Sequence, residues 1–145
     1  MADRKLSLSI KEDSNMFLGV TPGPGPQGYN YTLTAPRGTS TGLNWILRDI
    51  PGTTVQMLVK DGGTVSGMVA TFGATGNYLS LKPYQQGNIE QYMIPMALDG
   101  PYFAMNNHDE THVMDRSMRK EDAHWVIAFP WNGGDNQRWN LQFHS

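Results

Sequence analysis

The chain has 145 residues, a formal charge of −2 and no cysteine. The missing cysteine excludes disulfides and thiolate chemistry, and so small an acidic balance gives no attraction to phosphate backbones or anionic membranes, so neither nucleic acid nor membrane is an expected partner. With 39% hydrophobic residues there is side chain enough for one core. No run of eighteen apolar residues and no signal-peptide segment occurs, which makes a cytoplasmic protein in a reducing compartment the expectation.

Leu6-Ser7-Leu8-Ser9-Ile10 alternates strictly, predicting a strand with one buried face. Asp13-Ser14-Asn15 reads as a turn and Met16 to Val20 as a second strand. Then comes Thr21-Pro22-Gly23-Pro24-Gly25-Pro26-Gln27-Gly28, whose three alternate prolines lack N–H groups and fix φ, so helix and ladder are both forbidden and an exposed loop results. Strands are predicted over 31–34 and 45–47, with the turn-rich Pro36 to Gly42 between them. The next four fall at 55–59, 65–72, 78–81 and 92–94, and the last four at 102–105, 111–114, 125–129 and 139–143. No window holds helical spacing, and 16 glycines with 9 prolines punctuate the chain, so an all-β protein of twelve short strands is expected.

The pattern repeats. Pro36, Pro83 and Pro130 are 47 residues apart, as are Trp45, Tyr92 and Trp139, and upstream of them Tyr31, Tyr78 and Trp125. Three ungapped 47-residue units of four strands nearly fill the chain, which implies one pseudo-threefold domain over 1–145 with repeats at about 1–50, 51–97 and 98–145. A lone unit cannot bury its apolar face, whereas three closing on themselves leave no sheet edge. The aromatics at shared positions are expected to pack the core.

Asp135-Asn136-Gln137-Arg138-Trp139-Asn140-Leu141 resembles the Gln-x-Trp motif of ricin-B-type proteins. With three sets of four strands, the resemblance implies a β-trefoil, a six-stranded barrel capped by three hairpins. At the matching places stand Leu43-Asn44-Trp45 and Glu90-Gln91-Tyr92, so the aromatic is kept and the glutamine reads as lost. Small, cysteine-free, mildly acidic trefoils with a degenerate motif resemble those of mushrooms, which divide between lectins and protease inhibitors of the mycocypin and cocaprin kind.

Function is expected where the three copies differ. After the second strand of each unit come the Pro-Gly loop, a small apolar segment over 67–76, and the charged Asp115 to Asp122. Proline lowers the entropy lost on docking and glycine admits a close backbone, so Pro22, Gly23, Pro24, Gly25, Pro26, Gln27 and Gly28 suit a preorganised wedge. The cocaprin resemblance implies papain-like proteases as partners, pepsin-like ones through a separate loop, and a homodimer; inhibition is the leading reading. A trypsin-like target needs a basic residue on a loop, for which Arg37, or a second inhibitory loop of Arg116, Arg119 and Lys120, is available.

The lectin side of the resemblance implies one sugar site in the third copy. Asn106, Asn107 or Asp109 would supply polar partners, Asn136 would add another, and Trp131 would be the platform, although that family's platform position holds Ile127 here. His108 and His112, with Asp109, Glu110 and Asp115 near, have a metal-like spacing that shares a face only in a helix. No metal, cofactor or catalytic set is expected. The sequon Asn30-Tyr31-Thr32 falls on a strand in a chain without an export signal and is not read as a glycosylation site.

Overall fold

Strict alternation and frequent turn residues give, among the described residues (3–37, 43–122 and 124–144) of this computed structural model, twelve strands and no α-helix. They are β1 (Arg4–Ile10), β2 (Asp13–Val20), β3 (Asn30–Pro36), β4 (Trp45–Asp49), β5 (Gln56–Lys60) and β6 (Val69–Thr71). The other six are β7 (Ser80–Lys82), β8 (Ile94–Ala97), β9 (Tyr102–Asn106), β10 (Val113–Arg116), β11 (Val126–Phe129) and β12 (Trp139–Phe143). Part of the turn expected over Pro36 to Gly42 lies outside the described residues.

Pairing makes a ring. β1 pairs with β4, β4 with β5, β8 with β9, β9 with β12 and β12 with β1, while a Gln56–Met93 bridge joins β5 to the start of β8. These six strands close a barrel and have no free edge. The remaining six form the hairpins β2–β3, β6–β7 and β10–β11. Each hairpin touches the other two: Tyr31 pairs with Ser80, Tyr78 bridges Ile127, and Leu33 bridges Trp125. Thr32 N–H donates to the Leu79 carbonyl and Leu79 N–H to that of Val126. A barrel closed by three hairpins is a β-trefoil.

The core fills the barrel with Leu6, Leu8, Ile10, Leu18, Trp45, Leu47, Leu58, Met93, Met105, Met114 and Trp139, each at most 1% exposed. The two tryptophans are anchored as well as packed. Trp45 Nε1 donates to the Leu18 carbonyl at 2.9 Å, and Trp139 Nε1 to that of Met114 at 3.0 Å. A buried indole needs such a partner.

Several boundaries differ from the sequence expectation. Ser7 and Ser9 are buried, because β1 has three neighbours and both its faces are covered. The chain turns from β1 into β2 at Lys11 and Glu12, so Asp13 to Asn15 belong to β2, and a register shift after Ser9 absorbs the added length. Val65 to Gly67 form a turn instead of strand, since Gly67 adopts φ +86°.

The second copy is also one residue out of the 47-residue register. Gln91 Nε2 donates to the Pro83 carbonyl and its Oε1 accepts from Gln85 N–H, as Gln137 does with Pro130 and Asn132. The motif glutamine is therefore present in this copy, and the fully buried residue two places on is Met93 while Tyr92 packs outside the barrel. Of the upstream aromatics, Tyr31 is buried, whereas Tyr78 and Trp125 are partly exposed; the three rings contact one another with centroids 4.5–6.0 Å apart. Trp45→Phe and Trp139→Phe should each destabilise the fold by about 1–3 kcal/mol, because a buried carbonyl loses its donor; urea unfolding followed by far-UV circular dichroism measures this, and unchanged midpoints would refute the anchoring role.

Candidate functional site

The site grows from the third hairpin. In β11, Val126 and Ala128 enter the core, so alternation turns Ile127 and Phe129 to the outer face. The antiparallel register sets Asp115 opposite Ile127 and Val113 opposite Phe129. Asp115 thus shares that outer face with a half-exposed phenyl ring, Phe129 at 38%.

The stretch after β11 arches over them. Gln137, fully buried, accepts from Asn132 N–H at 2.8 Å and donates through Nε2 to the Pro130 carbonyl at 2.9 Å and to Asp115 Oδ2 at 2.8 Å. Asn136 Nδ2 donates to Asp115 Oδ1 at 3.0 Å and to the Arg116 carbonyl at 3.1 Å. Gly134 is required by close approach, since a Cβ there would lie 2.5 Å from Asn136 Oδ1. Asp115, Asn136, Asn132, Ile127, Phe129 and Met118 line a pocket of about 330 Å³, with Arg119 on its flank.

Burial pushes the Asp115 carboxyl up to about 6, against the amide hydrogen bonds of Gln137 and Asn136, which favour the anion; Glu12 adds to the rise and Arg119 opposes it. Near neutral pH the ionised carboxylate offers four lone-pair sites, and two amide donors leave capacity for hydroxyl donors from a ligand. Asn136 Oδ1 adds an acceptor, and the Phe129 ring offers an apolar face. A polyol with one apolar side fits this set.

A second, larger cleft of about 470 Å³ adjoins the first. Pro26, Tyr29, Tyr31, Tyr78, Lys82 and Glu90 are among the residues that line it.

The residues expected to hold sugar are divided by the fold. Asn136 is in the pocket, but Trp131 is not; it lies outside, 42% exposed, under the Arg138 guanidinium at 5.2 Å. The exposed ring on the wall of this pocket is that of Phe129. Asn106, Asn107 and Asp109 do not line the pocket either, because they serve the β9–β10 connection. Asn106 donates to the Ile94 and Ala104 carbonyls, Asn107 Oδ1 accepts from Thr111 N–H and His112 N–H, and Asp109 accepts from Thr111. His112 turns to Thr75 at 2.6 Å while His108 faces Asp109, so the two histidines do not converge.

The charged segment is strand at its start. Arg116 lies in β10, 8% exposed, paired with Glu12 at 2.9 Å and with His124, so it is not on a presenting loop. Arg119 and Lys120 are exposed, and Arg119 Nη2 donates to the Gly76 carbonyl. Arg37 stacks over the Phe17 ring at 4.2 Å, and Asn30 Nδ2 donates to the Thr21 carbonyl.

The Pro-Gly loop is exposed from Pro22 to Gly28 apart from half-buried Gly23 and Gly25, and it is pinned to β3. Tyr31 Oη donates to the Pro26 carbonyl at 2.6 Å, Gly25 N–H to that of Tyr29 at 2.7 Å, and Thr21 Oγ1 to that of Gly23. Gly25 is needed because a Cβ would stand 3.2 Å from the Tyr31 ring. Prolines do not abolish all local order: a short 3₁₀ turn covers Pro26–Gly28, with Gln27 at φ +62°.

No protein-family model matches the chain, and no curated protein does. Solved structures do. The chain is similar to a designed threefold-symmetric protein, ThreeFoil, at 20% identity over 95% of this chain and 97% of that one, with a TM-score of 0.77. It is similar to the Rhizoctonia solani agglutinin at 17% identity, covering 99% and 97%, with a TM-score of 0.72. A third likeness, at 18% identity and TM-score 0.75, is to an exo-β-1,3-galactanase from Clostridium thermocellum, of which the chain spans 30%. These likenesses establish the architecture, a β-trefoil.

Asp115 makes stability depend on pH. Its folded-state pKa lies above its unfolded value, so its contribution is present below about pH 4 and is lost as pH rises through about 6. In Asp115→Thr this component should vanish; the difference in urea-unfolding free energy between the two proteins, measured from pH 4 to 7, should change across that window and would be flat if Asp115 were not desolvated.

Proposed function

We propose that the protein is a carbohydrate-binding β-trefoil with one principal site, the pocket under the 130–137 arch. What carries the reading is the Asp115 carboxylate held by the amides of Asn136 and Gln137 beside the exposed Phe129 ring. A sugar hydroxyl donates to the carboxylate, a neighbouring hydroxyl donates to Asn136 Oδ1, and the C–H face of the ring lies on Phe129. Charge-assisted hydrogen bonds of this kind are about twice as strong as neutral ones. The architecture is shared with an agglutinin over nearly the full length of both chains, which supports the reading.

A glycan array should show binding, and calorimetry on the best ligand should find Asp115→Ala and Phe129→Ala each weaker by about tenfold or more. Trp131→Ala should change affinity little. Affinity should also fall as pH drops through about 6, where protonation removes an acceptor. A clean array, or wild-type affinity in Asp115→Ala, would overturn the proposal.

Protease inhibition through the Pro-Gly loop is the second reading, favoured by one observation: hydrogen bonds to Tyr29 and Tyr31 tie the exposed loop to its own hairpin. Preorganisation lowers the entropy lost on docking. Replacing Pro22 to Pro26 by a Gly-Ser turn should abolish inhibition of papain with the thermal midpoint nearly unchanged; papain activity that the parent leaves untouched would remove this reading.

A further inference from the structure

The larger cleft is a chemical variant of the first. In both, a buried glutamine supports the site: Gln91 Nε2 donates to Thr71 Oγ1 where Gln137 donates to Asp115. Glu90 precedes Gln91 as Asn136 precedes Gln137, and Lys82 pairs with Val69 as Phe129 pairs with Val113. Relative to the first pocket, a hydroxyl has replaced the carboxylate, a carboxylate the amide, and an ammonium the phenyl ring. Charge has taken the place of an apolar platform.

The two clefts share a wall residue. Arg119 lines both, and it reaches across to the Gly76 carbonyl at 3.1 Å. Beneath it the chains are paired, with Tyr78 bridged to Ile127 and Ala128 N–H donating to the Asn77 carbonyl. Lys82 Nζ is held over the Tyr29 ring at 4.9 Å and, among the described residues, has no carboxylate partner. Among the described residues that line this cleft, Lys82 and Arg119 are the cations and Glu90 carries the carboxylate.

We infer that the clefts form one extended site for an acidic oligosaccharide, with a neutral ring at Asp115 and a carboxylate-bearing sugar held by Lys82 and Arg119. This rests on the carbohydrate reading of the first pocket. The volume suits a sugar unit, since small-ligand sites run to roughly 300–1,000 Å³. Tyr31 and Tyr78 would face the C–H side of the second ring, and Glu90 would accept from its hydroxyls. The carboxylate is the discriminating group, because ammonium and guanidinium both make charge-assisted bonds to it.

The test uses the whole protein and an array of matched oligosaccharides that differ only in carrying a hexose or its uronic acid at one end, followed by calorimetry on a bound pair. The acidic member should bind about tenfold more tightly, that advantage should shrink in high salt, and Lys82→Gln and Arg119→Gln should each reduce it. Should Lys82→Gln fail to fold, amide shifts at Gly76 and Asn77 in the parent on adding the acidic member, but not the neutral one, carry the same information. Equal binding of the pair, or a preference that survives Lys82→Gln, overturns the inference and leaves the Asp115 pocket standing. A short peptide with a free C-terminus that shifts Gly76 and Asn77 while the acidic glycans do not also overturns it. Binding of no glycan at all removes both.

Discussion

A buried amide must have hydrogen-bond partners, and Gln137 has its oxygen and both its N–H groups engaged. Its oxygen is spent on Asn132 and its nitrogen on Pro130 and Asp115, so one side chain ties a loop to itself and to the hairpin beneath it. From that tie the site follows. The arch from Pro130 to Gln137 can close only over Gly134, Asn136 is carried onto Asp115, and the next turn delivers Trp139 to the barrel floor, where its indole meets the Met114 carbonyl. Barrel closure and pocket geometry share one set of bonds.

The same device at Gln91 shows what is scaffold and what is free to vary. Its contacts to Pro83 and Gln85 repeat those at Gln137, yet the residues around it have changed from Asp115, Asn136 and Phe129 to Thr71, Glu90 and Lys82. A trefoil can thus change the chemistry of a cleft without touching the bonds that shape it. The three hairpins meet through backbone bonds, among them Thr32 to Leu79 and Leu79 to Val126, so adjoining clefts are held in fixed relation.

Much of this was legible in the sequence. Each of the twelve strands overlaps its expected span, although β8 shares only Ile94 with the expected 92–94, and the Gln-x-Trp segment implied the barrel. The register of the second copy was not legible, because an ungapped comparison aligns Tyr92 with the tryptophans and cannot register a one-residue shift that packing makes natural, putting Met93 in the core and Gln91 in the motif. The pocket was only partly legible. Trp131 was the aromatic expected beside Asn136, but alternation within Val126 to Phe129 already places Phe129 on the outer face with Ile127. Asp115 was hidden in a charged run that reads as solvated surface, and its burial depends on Asn136 and Gln137 folding back some twenty residues later, a relation no local pattern carries. Asn107 and Asp109 look like ligands in sequence for the same reason they are turn formers: short polar side chains bond to nearby backbone.

Whether Asp115 serves the fold or a ligand can be argued from its counterpart. Thr71 gives Gln91 the acceptor it needs and satisfies its own hydroxyl on the Val69 carbonyl, all without a buried charge. The scaffold therefore asks only for a neutral acceptor at this place. A carboxylate there bears a desolvation cost large enough to raise its pKa to about 6, and it brings one hydrogen bond to Gln137 that a hydroxyl would also make. Its second bond, to Asn136, closes no loop that the Arg116 carbonyl does not already hold. The excess acceptor capacity faces a pocket with an exposed ring on its wall, and a charged group kept at a cost to stability in such a place is what the proposed binding role requires.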